Sequence, residues 1–194
     1  MEKMIAEVAE QKKRLRQEMK LLAGKLEVDY CRKADAKIYR RIACLPEYER
    51  ADTVFCFVGM RSEIDTVPIL EDAWRRGKRV CVPKCVGKGI MNAYQINGMS
   101  ELHVGSFGIL EPGEHAVLIL PEEIDLVLAP CLSCSRDGKR LGYGGGYYDR
   151  YLERVAAPKA VLCRRRVMRE DIPVDDYDMR MDFVICEDYV EKNG

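Results

Sequence analysis

The fold is decided between Thr53 and Lys84. This stretch reads "TVFCFVG" (Thr53–Gly59), then "TVPILEDAWRRG" (Thr66–Gly77), then "KRVCVPK" (Lys78–Lys84). The first and last pieces are short, apolar and rich in β-branched residues, which predicts strands. The middle piece has helical periodicity, with Thr66 as N-cap, Pro68 in the first turn and Gly77 as the stop. Strand, helix and strand within about thirty residues predict a right-handed βαβ unit, and so a parallel sheet. Working outward, "IMNAYQI" (Ile90–Ile96), "DLVLAP" (Asp125–Pro130), "KAVLC" (Lys159–Cys163) and "DFVICED" (Asp182–Asp188) supply further strands. Upstream, Ile5, Val8, Leu15, Met19 and Leu22 recur at helical spacing. Gly24 breaks that helix, "VDYCRKADAKIYRRIACL" begins a second, and Pro46 marks a boundary. The expectation is an α/β protein: one three-layer α/β/α domain over residues 1–194, with a mainly parallel sheet. Residues 1–45 form a helical N-terminal arm packing on it.

The bulk composition narrows the function classes. Lys+Arg and Asp+Glu number 32 each, so no net charge draws the chain to nucleic acid or to a membrane. A small anionic ligand remains open to local clusters of charge. No run approaches the length of a membrane span, and the charged first helix is unlike a signal peptide. Nine cysteines are spread along the chain, several of them in apolar runs. Without a secretory signal they are expected as reduced core thiols. The chain is expected to be cytoplasmic, monomeric and directed at small molecules.

The candidate site is "RLGYGGGYYDR", Arg140–Arg150. A strand, a glycine turn and a helix start make an anion cradle, because glycine lets backbone N–H groups approach the ligand. No Gly-Lys-Ser/Thr follows, so it is not a Walker loop. It also departs from the dinucleotide fingerprint: Gly142 and Gly144 fit, but Tyr147 stands at the third glycine. On glycine content alone, a tight turn with Tyr147 and Tyr151 packed four apart explains the string as well. The flanking charges favour a phosphate site. Arg140 can pair with phosphate oxygens, and Asp149 can cap the helix or hold magnesium beside a phosphate. A second basic cluster, "KKRLRQEMK", places Lys12 and Arg16 on one helix face and Lys13 off it. It reads either as a solvated face or as a second phosphate clamp folded over the glycine loop.

In order and spacing, "KKRLRQE", "FCFVGMRSEIDT", "SFGILEP" and "DLVLAPCLSCSRDGKRLGYGGGYYDRYL" resemble the 5-formyltetrahydrofolate cyclo-ligase (methenyltetrahydrofolate synthetase) family over nearly the whole chain. The resemblance implies an α/β fold. It also implies ATP- and magnesium-dependent conversion of 5-formyltetrahydrofolate to 5,10-methenyltetrahydrofolate, with release of ADP and phosphate. In the family mechanism the formyl oxygen is phosphorylated first, and the substrate's second nitrogen then closes the ring. By the same resemblance Lys12, Lys13, Arg14, Leu15 and Arg16 match an ATP-binding basic helix, and Arg140, Leu141, Gly142, Tyr143, Gly144, Gly145, Gly146, Tyr147 and Tyr148 an ATP-binding loop. Arg140, Lys12 and Arg16 are the catalytic cations. Gly144 to Tyr148 also border the substrate, with Val58 as an apolar contact and Glu63 as the acid that binds the folate ring. Asp149 and Asp178 match magnesium ligands, with Asp175, Asp176 and Asp182 competing for the second place.

Two departures from the family pattern stand out. Where the family commonly has Gly-Leu-Ala-Phe-Asp, this chain has "CLSCS", Cys131–Ser135, and Tyr177 stands where a His is usual. They motivate two alternatives: a folate- or nucleotide-binding protein without chemistry, or an ATP-dependent enzyme acting on another N-formyl or amide compound. Cys131-x-x-Cys134 and Cys81-x-x-x-Cys85 both follow predicted strands, so four sulphurs could meet at zinc. The loose spacing and the lack of a histidine argue against it. His103 and His115 are expected in surface loops, and Trp74 in the core.

Overall fold

The computed structural model describes residues 2–105, 108–175 and 177–193, with side chains from residue 6 onward. Ser106 and Phe107 of the "SFGILEP" segment, and Asp176 among the competing acids, lie outside the described residues.

The N-terminal arm is two helices, α1 (Glu2–Gly24) and α2 (Val28–Ala43), followed by a single turn, α3 (Pro46–Arg50). The predicted βαβ unit follows as β1 (Thr53–Cys56), α4 (Val67–Arg75) and β2 (Arg79–Gly87). Gly77 ends α4 with φ of +73°, the left-handed conformation that glycine adopts without a steric cost. Thr66 behaves differently from expectation. It makes no capping bond. Its hydroxyl donates to the Phe57 carbonyl at 2.8 Å and accepts from the Gly59 N–H at 3.0 Å. The residue ties the start of α4 to the loop after β1 rather than capping the helix.

The rest of the sheet comes from β3 (Ile90–Ile96), β6 (Leu118–Ile119), β7 (Leu126–Ala129), β10 (Lys159–Leu162), β11 (Phe183–Ile185) and β12 (Val190–Lys192). Two small ribbons sit outside it: β4 (Leu102–Val104) with β5 (Leu110–Pro112), and β8 (Ser133–Cys134) with β9 (Arg140–Leu141). The eight-stranded order is β12-β11-β10-β7-β1-β2-β3-β6. The five strands from β11 to β2 run parallel, and β12, β3 and β6 add antiparallel edges. "DLVLAP" therefore does not enter the glycine loop directly, because the β8–β9 hairpin intervenes.

The parallel strands are buried on both faces, which explains their unbroken apolar runs. Strand alternation divides them between two cores. Val54, Cys56, Val80, Val82, Leu126, Leu128, Ala160 and Leu162 face α2, α3 and α4, against Ile38, Ile42, Tyr48, Ile69 and Leu70. Phe55, Cys81, Val127, Ala129, Val161 and Cys163 face the other side, against Tyr151, Leu152 and Met168. That second layer holds one short helix, α5 (Tyr147–Leu152), and irregular chain. A third cluster, Leu15, Met19, Leu132, Leu141 and Ile172, fastens α1 to the hairpin. Trp74 packs on the first core and donates to the Ile96 carbonyl at 3.0 Å. Both histidines are exposed, although His103 lies on β4 rather than in a loop. Among the described residues no helix is long and apolar enough to cross a membrane.

Candidate active site

The chain leaves β1 to build β2 on one side and later returns to place β7 on the other. Ligands of open α/β sheets settle outside the carboxyl ends of the strands at such a reversal. A cleft of about 620 Å³ lies there. Its walls include Phe57, Val58 and Glu63 from the loop after β1, Pro83 and Cys85 from the end of β2, and Pro130 after β7. The loop after β1 folds back on itself. A Cβ on Gly59 would lie 2.0 Å from the Ile64 carbonyl oxygen, so only glycine fits.

The glycine loop forms a second wall. Gly144 and Gly146 take φ of +98° and +64°, a region that disfavours any residue with a Cβ. Arg150 braces the loop, with Nη2 donating to the Gly145 carbonyl at 2.5 Å and Nε to the Gly89 carbonyl at 2.8 Å. The helix that follows has six residues. Its macrodipole is correspondingly small, and any anion here would depend on the backbone amides and side-chain cations.

Arg140 enters this wall from β9 and is only 7% exposed. Its Nη2 pairs with Asp149 Oδ1 at 2.6 Å, and its Nη1 donates to the Pro130 carbonyl at 3.3 Å. The guanidinium lies 5.4 Å from the Tyr148 ring centre. Arg140 Nε and the Tyr148 hydroxyl are buried without a hydrogen-bond partner among the described residues. Such orphaned donors are costly, and both belong to residues that line the cleft. A polar ligand would satisfy them.

The arm supplies the third wall. Lys12, 7% exposed, donates to Asp175 Oδ2 at 2.7 Å and also to Asp178 Oδ2. The Lys12 ammonium holds the Asp175 carboxyl below its usual range. Arg16 Nε donates to the Gly142 carbonyl at 3.0 Å. A Cβ on Gly144 would lie 3.2 Å from the Arg16 guanidinium carbon, so this cation is laid across the glycine loop. Burial draws the Arg16 pKa down, and the Asp178, Asp149 and Asp175 carboxylates push it back up. Two cations from one helix face therefore border the cleft. Their neighbours on the chain do not. Lys13 and Arg14 point to solvent and pair with Glu10 at 3.8 and 3.5 Å, and Leu15 is buried in the third cluster. At helical spacing only every third or fourth residue can share a face.

Glu63 faces the glycine loop from the opposite wall. Its Oε2 accepts the Met60 N–H at 2.8 Å and its Oε1 the Tyr143 hydroxyl at 2.5 Å. Burial raises the Glu63 carboxyl above its ordinary value, partly offset by the Met60 and Tyr143 hydrogen bonds. Burial, with the adjacent Glu63 charge, raises the Tyr143 phenol strongly. Behind Glu63 is an assembly that sequence reading missed. Arg164 pairs with Asp35 through Nε–Oδ1 at 2.7 Å and Nη2–Oδ2 at 2.8 Å. It also donates to the Ser62 and Glu63 carbonyls at 3.1 and 2.6 Å, anchoring the loop to α2 and to the end of β10. The only sequence signal was the cationic run Arg164–Arg166 straight after a strand.

Asp149 and Asp178 both border the cleft, as does Asp175. They offer hard carboxylate oxygens at the cation-rich end, a donor set suited to magnesium shared with phosphate oxygens. The "CLSCS" departure is divided: Cys131 and Leu132 line a smaller cavity that also touches Glu63 and Tyr143, and the rest lies behind it. Cys134 is buried in the second core. The buried Ser135 hydroxyl bonds to Asp137 and accepts the Lys139 N–H at 3.0 Å, bracing the β8–β9 turn. Tyr177 is exposed at the cleft mouth. Among the described residues Cys131 and Cys134 come together with Cys163, and neither Cys81 nor Cys85 joins that group.

Comparison with known proteins bears on this arrangement. A family model for 5-formyltetrahydrofolate cyclo-ligases matches residues 8–187. A probable 5-formyltetrahydrofolate cyclo-ligase from Schizosaccharomyces pombe is 28% identical, over 94% of this chain and 98% of its own. The Escherichia coli K12 5-formyltetrahydrofolate cyclo-ligase is 32% identical, over 75% of this chain and 83% of its own. The NMR structure of Aquifex aeolicus 5,10-methenyltetrahydrofolate synthetase superposes with a TM-score of 0.82 at 28% identity, covering 94% of this chain and 92% of that one. With its parallel sheet, its cleft at the strand reversal and its glycine loop, the chain belongs to the 5-formyltetrahydrofolate cyclo-ligase family.

Proposed function

We propose that the protein converts 5-formyltetrahydrofolate to 5,10-methenyltetrahydrofolate using ATP and magnesium, releasing ADP and phosphate. The observation that carries this reading is one cleft with two unlike ends. One end gathers Lys12, Arg16, Arg140 and the Gly144–Gly146 backbone, suited to a polyphosphate. The other presents Glu63 beside Val58 and Phe57, suited to a flat heterocycle with N–H donors.

A triphosphate would lie along the glycine loop, with Arg16 across it and Arg140 deep beneath. Arg140 Nε and the Tyr148 hydroxyl would then gain acceptors. An ionised Glu63 would accept the pterin ring N–H and amino group, exchanging the Tyr143 hydroxyl for the ligand. The formyl oxygen attacks the γ-phosphorus and ADP leaves. This yields an imino-phosphate, in which carbon is activated by a good leaving group. The substrate's second nitrogen attacks that carbon, loses its proton, and phosphate departs as the five-membered ring closes. No protein nucleophile is needed, since positioning and charge neutralisation supply the acceleration. Asp149 and Asp178 would hold magnesium, which when bound neutralises phosphate charge. Their present partners, Arg140 and Lys12, would turn to the phosphates.

The test is a magnesium-dependent rise of the methenyl chromophore when ATP and 5-formyltetrahydrofolate are added to the protein. Folded protein that gives no absorbance change rejects the reading. Binding without turnover would favour a non-catalytic role, and ADP release only with other N-formyl or amide compounds would favour a different substrate.

A further inference from the structure

Three of the nine cysteines meet at the edge of the second core. The sulphurs of Cys131, Cys134 and Cys163 all lie within 4.8 Å of one another. Topology brings them together. β7 and β10 are parallel neighbours. Cys131 follows the end of β7, Cys163 follows the end of β10, and Cys134 returns on β8. A second cavity of about 300 Å³ opens on Cys131 and Cys163, with Arg164 on its wall. Cys134 closes the trio from behind, fully buried.

We propose that Cys131, Cys134 and Cys163 form a site for a thiophilic divalent cation of the zinc class, held by three thiolates with its fourth position open to the small cavity. The donor set selects the ion. Sulphur ligands favour zinc-like and softer ions over magnesium or calcium, so the donor set differs from the Asp149 and Asp178 carboxylates, although the small cavity shares Phe57, Glu63, Pro130 and Tyr143 with the large cleft. The geometry is close to what binding needs. A Zn–S distance of ~2.3 Å in a tetrahedron sets the sulphurs about 3.8 Å apart, within reach of small side-chain rotations. The open position resembles that of three-ligand sites that keep a water or an exogenous ligand. Three thiolates and a divalent ion leave one negative charge, in a cavity whose wall includes Arg164. Binding exchanges thiol protons for metal–sulphur bonds and sends the protons to solvent, with no change of oxidation state. The Cys131 thiol, which donates to the Leu162 carbonyl at 3.4 Å, borders the cavity and is the ligand an entering ion meets first.

The trio stands whether or not the cleft takes a folate, and its test does not use turnover. Full-length protein, reduced and kept anaerobic, is titrated with cadmium chloride. The expected result is one ion per chain with a sulphur-to-cadmium charge-transfer band in the ultraviolet. Competition by zinc should erase the band, and the metal should slow alkylation of Cys131 by iodoacetamide. Cys131→Ser, at a half-buried position that tolerates the change, should lose the band with unchanged circular dichroism, whereas the exposed-site control Cys44→Ser should keep it. A wild-type protein without the band, or a band that survives Cys131→Ser, overturns the proposal. So does a trio that ignores cadmium but forms a disulfide with hydrogen peroxide.

Discussion

Arg140 carries a full charge in a nearly dry place, with one carboxylate as counter-ion and one nitrogen unpaired. Truncating it strands Asp149 as well as removing the phosphate partner proposed above. Arg140→Ala is therefore expected to abolish chromophore formation, and Arg140→Lys to restore only part of it, because a lysine cannot reproduce the planar fork. Both should keep the circular dichroism of the parent. Glu63 has a different balance. Its carboxyl is raised in the folded state by burial, so its contribution to stability is fully present below the unfolded pKa and is lost as pH rises through the folded one. Glu63→Gln should therefore melt no lower than the parent at neutral pH, while its KM for the formyl-folate rises. In the parent, folate affinity should increase as pH climbs through the Glu63 pKa. Equal KM values for parent and variant would remove Glu63 from the ring site. Gly144→Ala must adopt an unfavourable φ and press on Arg16, at a cost of about 1–2 kcal/mol, read as a lower denaturation midpoint. Arg140, Lys12 and Arg16 were legible because charged residues beside glycines, or four apart on a helix, state their geometry in one dimension. Arg164 was not, because its role exists only where α2, β10 and the loop after β1 meet.

At the scale of elements, α1 works as a clamp. Leu15 and Met19 provide its apolar grip, while Lys12 and Arg16 reach over to the 175–178 segment and the glycine loop. Lys12→Met keeps most of the apolar stem and removes the charge. It is expected to raise the KM for ATP far more than that for the folate, and to speed amide exchange in residues 172–178. Unchanged exchange there would show that the clamp is passive. The same pairing sets an acid limit. Because Lys12 depresses the Asp175 carboxyl, the stability it confers is present above the unfolded pKa and is lost as pH falls through the folded one. The parent should lose this increment on acid titration, and Lys12→Met should lack it. Helices α1, α2 and α4 and the parallel strands were readable from periodicity and apolar runs. The β4, β5, β6, β8, β9 and β12 strands were missed because two or three residues are too few to show alternation. Thr66 misled because the same residue type that caps a helix can equally bind a neighbouring loop.

Across the whole molecule, one buried contact spans the layers. Asp35 on α2 and Arg164 after β10 form a bidentate pair with both side chains nearly dry. Removing one partner of such a pair costs about 3–5 kcal/mol, whereas replacing both with apolar residues is far milder. Asp35→Ala should therefore lower stability by that order in chemical denaturation. Asp35→Leu combined with Arg164→Met should recover much of it, yet leave the KM for the folate raised, since the Ser62 and Glu63 carbonyls lose their donor. Full recovery of KM in the double variant would separate the ion pair from the substrate loop. The sheet order followed from the sequence only as far as a parallel core, because edge strands and their direction depend on which neighbour is left uncovered.

The Lys12 contacts bridge 163 and 166 positions of chain. At a ribosomal pace of 5–20 residues per second, that gap is roughly 10–30 s of synthesis. Throughout that interval the first helix has emerged without its acidic partners. A nascent protein stalled before Asp175 should thus leave Lys12 without its carboxylate partners, making the closing of this wall one of the last structural events of translation.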